Sequence, residues 1–474
     1  MPTVDLVVKN GRLVLKDRIV EADIVVDHGK IVKIGSKEQS VKLDRVIDAK
    51  GNLVIPGCID THVHSREPHG AKTPAGQEDF ESLTQAAAAG GYTTVFDMPV
   101  TCDPPTTTVE GFRVKKRLAE KRCIVDYAFY GGAGFGNLDD LTGLAAAGVI
   151  GFKTFTRELP SENEGWCGVT LGEDGPEVFL RLMEAVAKIG RPLSIHCEDD
   201  RLIKHLKEHL QAVGDVGLDA YYRSAPNASE FLEVARSISL AEEVAGARIN
   251  IAHLSTAEGV SMVKEAKSSS IGGNRRITAE TCPHYLLLTN KDLVEKLGPY
   301  GKIYPPLRSD GDREALWRGL NEGVIDFLAT DHAPHLREAK ESGWKNIFEA
   351  ASGVPGLETA LPLMLTQMNQ GRISIFRLVE VMSRNPAEAF GISSRKGALE
   401  VGRDADFVVV DPKLEMVLRE EDMYTRSSAK VFDGWKVTGA PVLTAVRGEV
   451  VMEEAGVASG KPGYGEYIEP SRPS

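Results

Sequence analysis

Six residues in this chain stand directly after short apolar runs: His62 and His64 in PGCIDTHVH, Lys153 in GVIGFKTF, His196 in PLSIHCED, His253 in RINIAHLS and Asp331 in VIDFLATDHAPH. His62 and His64 are two apart, so on an extended strand both side chains point the same way. Alone, such a pair is as readily two incidental strand histidines. Four imidazoles with a carboxylate, however, form a nitrogen and oxygen ligand set suited to zinc or a similar divalent ion, and two ions could share it. Lys153 does not fit that set as an ammonium, because each like charge at ~4 Å and an effective dielectric near 20 costs about 4 kcal/mol. It must lose its charge. Either it stays neutral with a depressed pKa, or it reacts with carbon dioxide to give a carbamate whose two oxygens bridge both ions. The second option turns a repelled group into a ligand and is the preferred reading.

Residues so far apart in sequence meet only if the fold gathers the ends of their strands. Eight short apolar runs recur through the central segment: IPGCIDTHVH, YTTVFDMP, DYAFYGG, GVIGFKTF, RPLSIHCED, RINIAHLS, RITAETCPHYL and VIDFLATDHAPH. Helix-like stretches such as EDFESLTQAAAAG and EVFLRLMEAVAKIG lie between them. Strand and helix alternating eight times predict an α/β fold, a parallel (β/α)₈ TIM barrel over residues 56–396. In such barrels the C-terminal strand ends form one functional face. Residues 1–55 instead alternate in period two, with Asn10-Gly11 and His28-Gly29 as turn signals. The same texture returns over 397–474, so the two ends are expected to build one small β-sandwich domain around the inserted barrel.

The composition sets outer bounds. A chain of 474 residues, 42% hydrophobic and 26% charged, has enough apolar content for a large buried core. A formal net charge of −12 disfavours nucleic acid or an anionic membrane as partner, since both need clustered Lys and Arg. The cysteines at 58, 102, 123, 167, 197 and 282 contain no C-x-x-C pair and read as reduced buried thiols of a cytoplasmic protein. Neither a signal peptide nor an apolar run of membrane-spanning length is found. Only the Pro/Gly/Ser-rich end, KPGYGEYIEPSRPS, suggests disorder. His205 and His209 have ligand-like spacing on a helix, but their Lys-rich surroundings indicate a solvated face.

Taken in order, PGCIDTHVH, GFKTF, SIHCED, NIAHLS, TCPHYL, PPLR, TDHAPH and GRDADFVVVD resemble the amidohydrolase superfamily, in its cyclic amidohydrolase branch of hydantoinases, allantoinases and dihydroorotases. The likeness spans nearly the whole chain. It implies a binuclear centre, usually zinc, held by His62, His64, Lys153 as carbamate, His196, His253 and Asp331. It implies hydrolysis of a ring amide of a cyclic ureide, with Asp331 as general base and then acid, and no organic cofactor. Relatives are commonly homodimers or homotetramers. Relatives that serve as non-catalytic scaffolds typically lack ligands, whereas this chain keeps all six.

The signals for substrate diverge. Arg66, HCED and DHAPH resemble dihydroorotases, in which the arginine and the second histidine, here His335, help hold a substrate carboxylate. Dihydroorotases normally follow DMP with asparagine, however, and this chain has Val100. DMPVTCDPPTTT, DYAFYGG, GVIGFKTF and FDGWKVTGAPVLTAVRG look like L-hydantoinase stretches. Many hydantoinases and dihydropyrimidinases place an oxyanion-binding tyrosine where this chain has Glu158, which argues against a dihydropyrimidinase. The expectation is therefore a hydantoinase or allantoinase type of enzyme, with dihydroorotase as the alternative. Arg66, His284 and His335 are the candidate substrate contacts.

Overall fold

Period-two alternation at the N-terminus yields the strands β1 (Thr3–Val14), β2 (Ile19–Asp27), β3 (Lys30–Gly35), β4 (Lys42–Asp48) and β5 (Leu53–Pro56). The structure, a computed structural model, describes residues 3–35, 42–70, 76–158, 175–269, 276–427, 431–454 and 456–471. His28 and Gly29, at φ 48° and 70°, make the tight turn between β2 and β3 that the sequence predicts. Asn10-Gly11 is not a turn. β1 runs through it, with Asn10 at φ 56° in an irregularity of the β1–β2 register between Val8 and Gly11. Asn tolerates the left-handed conformation in a bulge as well as in a turn, so the dipeptide alone does not separate the two.

The apolar runs of the central segment form β6 (Cys58–Val63), β7 (Tyr92–Asp97), β8 (Asp126–Gly132), β9 (Gly151–Phe155), β10 (Leu193–His196), β11 (Ile249–Ile251), β12 (Ile277–Thr281) and β13 (Phe327–Leu328). Each pairs in parallel with the next. All their residues are buried, as expected for strands covered on both faces. The ring is brought round by a bridge from Val63 to His332 and by the His64 amide, which donates to the His332 carbonyl at 2.9 Å. Outer helices pack closely. A Cβ on Gly90, which ends the helix Phe80–Ala89, would stand 2.0 Å from the Leu357 carbonyl oxygen at the start of the helix Leu357–Asn369.

After the barrel come β14 (Phe407–Val417), β15 (Lys436–Val446), β16 (Glu449–Glu453) and β17 (Val457–Ala458). The termini join where β14 pairs antiparallel with β5, giving the order β17-β16-β15-β14-β5-β1-β2-β3, with β4 alongside β1. Leu6, Val8, Ile24, Val26, Ile31, Val54, Phe407 and Val409 form a core separate from that of the barrel.

A buried charge cluster ties this sheet to the barrel. The Lys396 ammonium lies 2.5 Å from Asp126 at the start of β8, 2.5 Å from Asp406 and 3.1 Å from Asp404. Removing one partner from such a cluster typically costs about 3–5 kcal/mol. The Pro/Gly-rich end is packed rather than loose through Ser471. Tyr467 lies with its ring centroid 5.6 Å from Phe112 and 5.5 Å from Phe129, and the Ile468 amide donates to the Tyr127 carbonyl at 2.8 Å. Two tyrosines and an isoleucine supply apolar area that the count of Pro and Gly conceals.

Candidate metal centre

His62 lies within β6, Lys153 within β9 and His196 at the last position of β10. His253 and Asp331 follow β11 and β13 by two and three residues and adopt φ of 36° and 47°. Positive φ is uncommon for residues with a Cβ, and here both bends occur just past the strand ends. The Nε2 atoms of His62 and His64 each stand 3.3 Å from Asp331 Oδ1. Donor atoms of His62, His253 and Asp331 all lie within 4.8 Å of one another. His253 Nε2 in turn meets His196 Nδ1 at 2.9 Å.

The electrostatics suit a cation. Burial pulls the His64 pKa down to about 4 and lowers those of His196 and His253, so these rings are neutral at pH 7 with a lone pair available. Burial alone would raise the Asp331 pKa, but His62, His64 and His253 hold the carboxyl well below the usual carboxylate range. Lys153 is the most telling residue. It is 0% exposed, its Nζ has no hydrogen-bond partner, and burial depresses its pKa to about 8. An orphaned amine beside the carboxyl groups of Asp331 and Glu280 is what a metal-bridging carbamate requires before carbon dioxide is added. The residues therefore fit a divalent metal centre.

Four buried carboxylates beneath this cluster escape a reading of the sequence. Asp60 accepts from the His62 amide at 3.0 Å and from the Thr330 hydroxyl at 2.5 Å. Glu280 meets His62 Nδ1 at 2.5 Å, and Glu198 meets His196 Nε2 at 2.9 Å and Arg157 at 2.8 Å. Asp97 accepts from the Ser65 amide at 2.8 Å and pairs with Lys115 at 2.6 Å. Asp60 and Glu198 each sit two residues from a candidate ligand histidine, a signal that period-two reasoning could have found. Glu280 and Asp97 lie on other strands and carry no such signal.

The cluster forms the floor of a cleft of about 760 Å³, its open mouth included. Arg66, Val100, Thr101, Phe155, Arg157 and Tyr304 are among its walls. Arg66 donates through Nε to the Pro334 carbonyl at 3.2 Å, and its Nη2 lies 2.9 Å from His335 Nε2. The Arg157 guanidinium lies 4.1 Å from the centre of the Tyr304 ring.

The comparisons with known proteins decide the family. The sequence matches the Amidohydrolase family over residues 53–451. The chain belongs to the amidohydrolase family. It is 39% identical over 466 residues to the L-hydantoinase of Paenarthrobacter aurescens, covering 98% of both chains. It is 38% identical over 470 residues to a dihydroorotase of Methanosarcina acetivorans, covering 98% of this chain and 96% of that one. An allantoinase of Rubrobacter xylanophilus is 35% identical over 474 residues, covering 100% of this chain and 99% of that one. The solved L-hydantoinase (dihydropyrimidinase) from Arthrobacter aurescens superposes with a TM-score of 0.91 at 38% identity, covering 98% of this chain and 100% of that one.

In this amidohydrolase the structure gathers His62, His64, His196, His253 and Asp331 into one cluster with Lys153 buried beside it, and sets Arg66 and His335 together in the cleft wall. His284 is placed differently from the other candidate substrate contacts. It is 3% exposed, packs on Tyr285 at 4.3 Å between ring centroids, and is absent from the cleft lining. Glu158 lies at the rim, its carboxylate 2.5 Å from Lys204. His205 and His209 are exposed on the helix Asp200–Ala212. The five cysteines among the described residues are free and buried, and Cys167 lies outside those residues. No helix among the described residues is long and apolar enough to cross a membrane.

Proposed function

We propose that this amidohydrolase hydrolyses a ring amide C–N bond of a cyclic ureide, as a hydantoinase or allantoinase type of enzyme. The observation that carries the reading is the convergence of four imidazoles and an ionised carboxylate around a buried lysine whose Nζ has no hydrogen-bond partner. His62 Nε2, His64 Nε2 and Asp331 would hold one divalent ion, and His196 Nδ1 and His253 Nε2 a second. Lys153, carboxylated at Nζ by carbon dioxide with loss of a proton, would bridge them. Two such ions, zinc by the chemistry of this donor set, would acidify water and polarise the ring carbonyl.

Asp331 faces the open cleft and is ionised at neutral pH, so it can accept a proton from the attacking water. It then returns that proton to the departing ring nitrogen. Val100 and Phe155 give the cleft apolar area that accommodates a hydantoin substituent. The Arg66–His335 pair favours a second reading, dihydroorotase, in which it would face a substrate carboxylate. Val100 weighs against it, having no side-chain donor. Six retained ligand positions weigh against a non-catalytic scaffold. Free buried thiols support a cytoplasmic location, and the exposed edge residues Val32 and Val457 support association into homodimers or homotetramers.

Ring opening of several 5-substituted hydantoins, allantoin and dihydroorotate, assayed side by side with metal analysis, tests this reading. The expected result is about two zinc equivalents per chain, as a binuclear centre requires, with hydantoins or allantoin turned over faster than dihydroorotate. A metal-free protein inactive on all three classes after zinc loading would refute it.

A further inference from the structure

Two of the buried carboxylates meet ligand histidines at opposite ring nitrogens. Glu280 Oε1 lies 2.5 Å from Nδ1 of His62, which leaves Nε2 facing Asp331 at 3.3 Å. Glu198 Oε2 lies 2.9 Å from Nε2 of His196, which leaves Nδ1 facing His253 at 2.9 Å. A neutral imidazole carries one N–H, and an ionised carboxylate can only accept, so each contact places the proton on the nitrogen beside the carboxylate. The opposite nitrogen then keeps its lone pair.

We propose that Glu280 and Glu198 are positioning residues that impose opposite tautomers on the two histidines, Nδ1–H on His62 and Nε2–H on His196, so that each presents a lone pair to a different ion. This rests on the metal reading above.

Both carboxylates are themselves held in place. Each is 0% exposed. Glu280 Oε2 accepts from the Thr61 hydroxyl and the Asn250 amide, both at 3.1 Å. The Glu198 amide donates to the Thr156 hydroxyl at 2.9 Å, and its Oε2 accepts from Arg157 at 2.8 Å. The pairing of Glu198 Oε2 with the Arg157 guanidinium keeps this carboxylate an acceptor toward His196. Opposite tautomers follow from chain geometry. Glu280 reaches His62 from β12, which only β13 separates from β6 in the closed ring, whereas Glu198 lies two residues after His196 and contacts the far side of its ring. A glutamine in place of Glu280 would bring an amide N–H either to His62 Nδ1, forcing the unusable tautomer, or against the Asn250 donor.

The test uses the full-length, zinc-loaded protein labelled with 15N-histidine, with His62→Gln and His196→Gln assigning the two signals. Expected are a zinc-bound Nε2 on His62 and a zinc-bound Nδ1 on His196, each with its proton on the other nitrogen. The reverse at either ring overturns the proposal. Zinc competition against a chromophoric chelator then compares wild type with Glu280→Gln and Glu198→Gln, with unfolding of the metal-free variants as the folding control. Each folded variant should bind one of its two equivalents about 10–100-fold more weakly, a different equivalent in the two cases. Wild-type affinity for both equivalents in either folded variant would overturn the assignment. Should a variant not fold, the spectrum of the labelled wild type decides. Should the wild type take up no zinc, the metal reading fails, and the tautomers, read in the metal-free protein, still test this inference separately.

Discussion

Replacing Lys153 by methionine should make the metal-free protein more stable and the loaded enzyme nearly inactive. The lysine side chain is fully buried, and its amine has no hydrogen-bond partner. Depression of its pKa from the ordinary 10.5 to about 8 corresponds to about 3 kcal/mol at 1.36 kcal/mol per unit. Below pH 8 the folded and unfolded chains both carry the proton, and the folded state bears that cost in full. Between pH 8 and 10.5 the folded amine is neutral while the unfolded one still binds a proton, so the stability of the wild type rises with pH. Methionine fills similar volume without a charge. Lys153→Met should therefore exceed the metal-free wild type by about 3 kcal/mol at pH 7, and the gap should close as pH approaches 10.5. Urea unfolding of both proteins in buffers freed of carbon dioxide and metal measures the difference, and other titrating groups cancel between them. On loading with zinc, the variant should lose the second ion and most turnover. A variant less stable than wild type at pH 7, or a gap that does not change with pH, would refute the account of Lys153 as a buried amine that holds its proton at a cost and awaits modification.

Two further substitutions probe the reaction and its specificity. Asp331→Asn removes the proton acceptor, and kcat for ring opening should fall about 10²–10⁴-fold; turnover within tenfold of wild type would exclude Asp331 as the base. Val100→Asn adds a donor in the cleft wall, and a hydrogen bond to a substrate carboxylate is worth about 1.5–3 kcal/mol, or roughly 10–100-fold in kcat/KM. Activity on dihydroorotate should rise by that factor while an alkyl hydantoin gains nothing. An unchanged ratio between the two substrates would remove Val100 from the specificity reading.

The eight barrel strands were legible because parallel strands buried on both faces read as unbroken apolar runs, and this held even for β13, where only Phe327 and Leu328 are regular strand. That the six candidate ligand residues come together was legible for a related reason, since each was read where an apolar run ends and strand ends form the functional face. Asn10-Gly11 misled because the left-handed conformation serves a bulge as well as a turn. The C-terminal stretch misled because its order comes from Tyr467 and Ile468 docking on β8, a contact between residues more than three hundred positions apart. Residue types and their spacing thus determined, by themselves, which elements form and which side chains can bind a metal, because alternation and apolar length are local properties. Tertiary structure alone decided that Glu280 meets His62, that His284 lies outside the cleft lining, and that Lys153 Nζ has no hydrogen-bond partner. Those facts depend on which side chains from distant strands share a low-dielectric interior, and no local pattern encodes that.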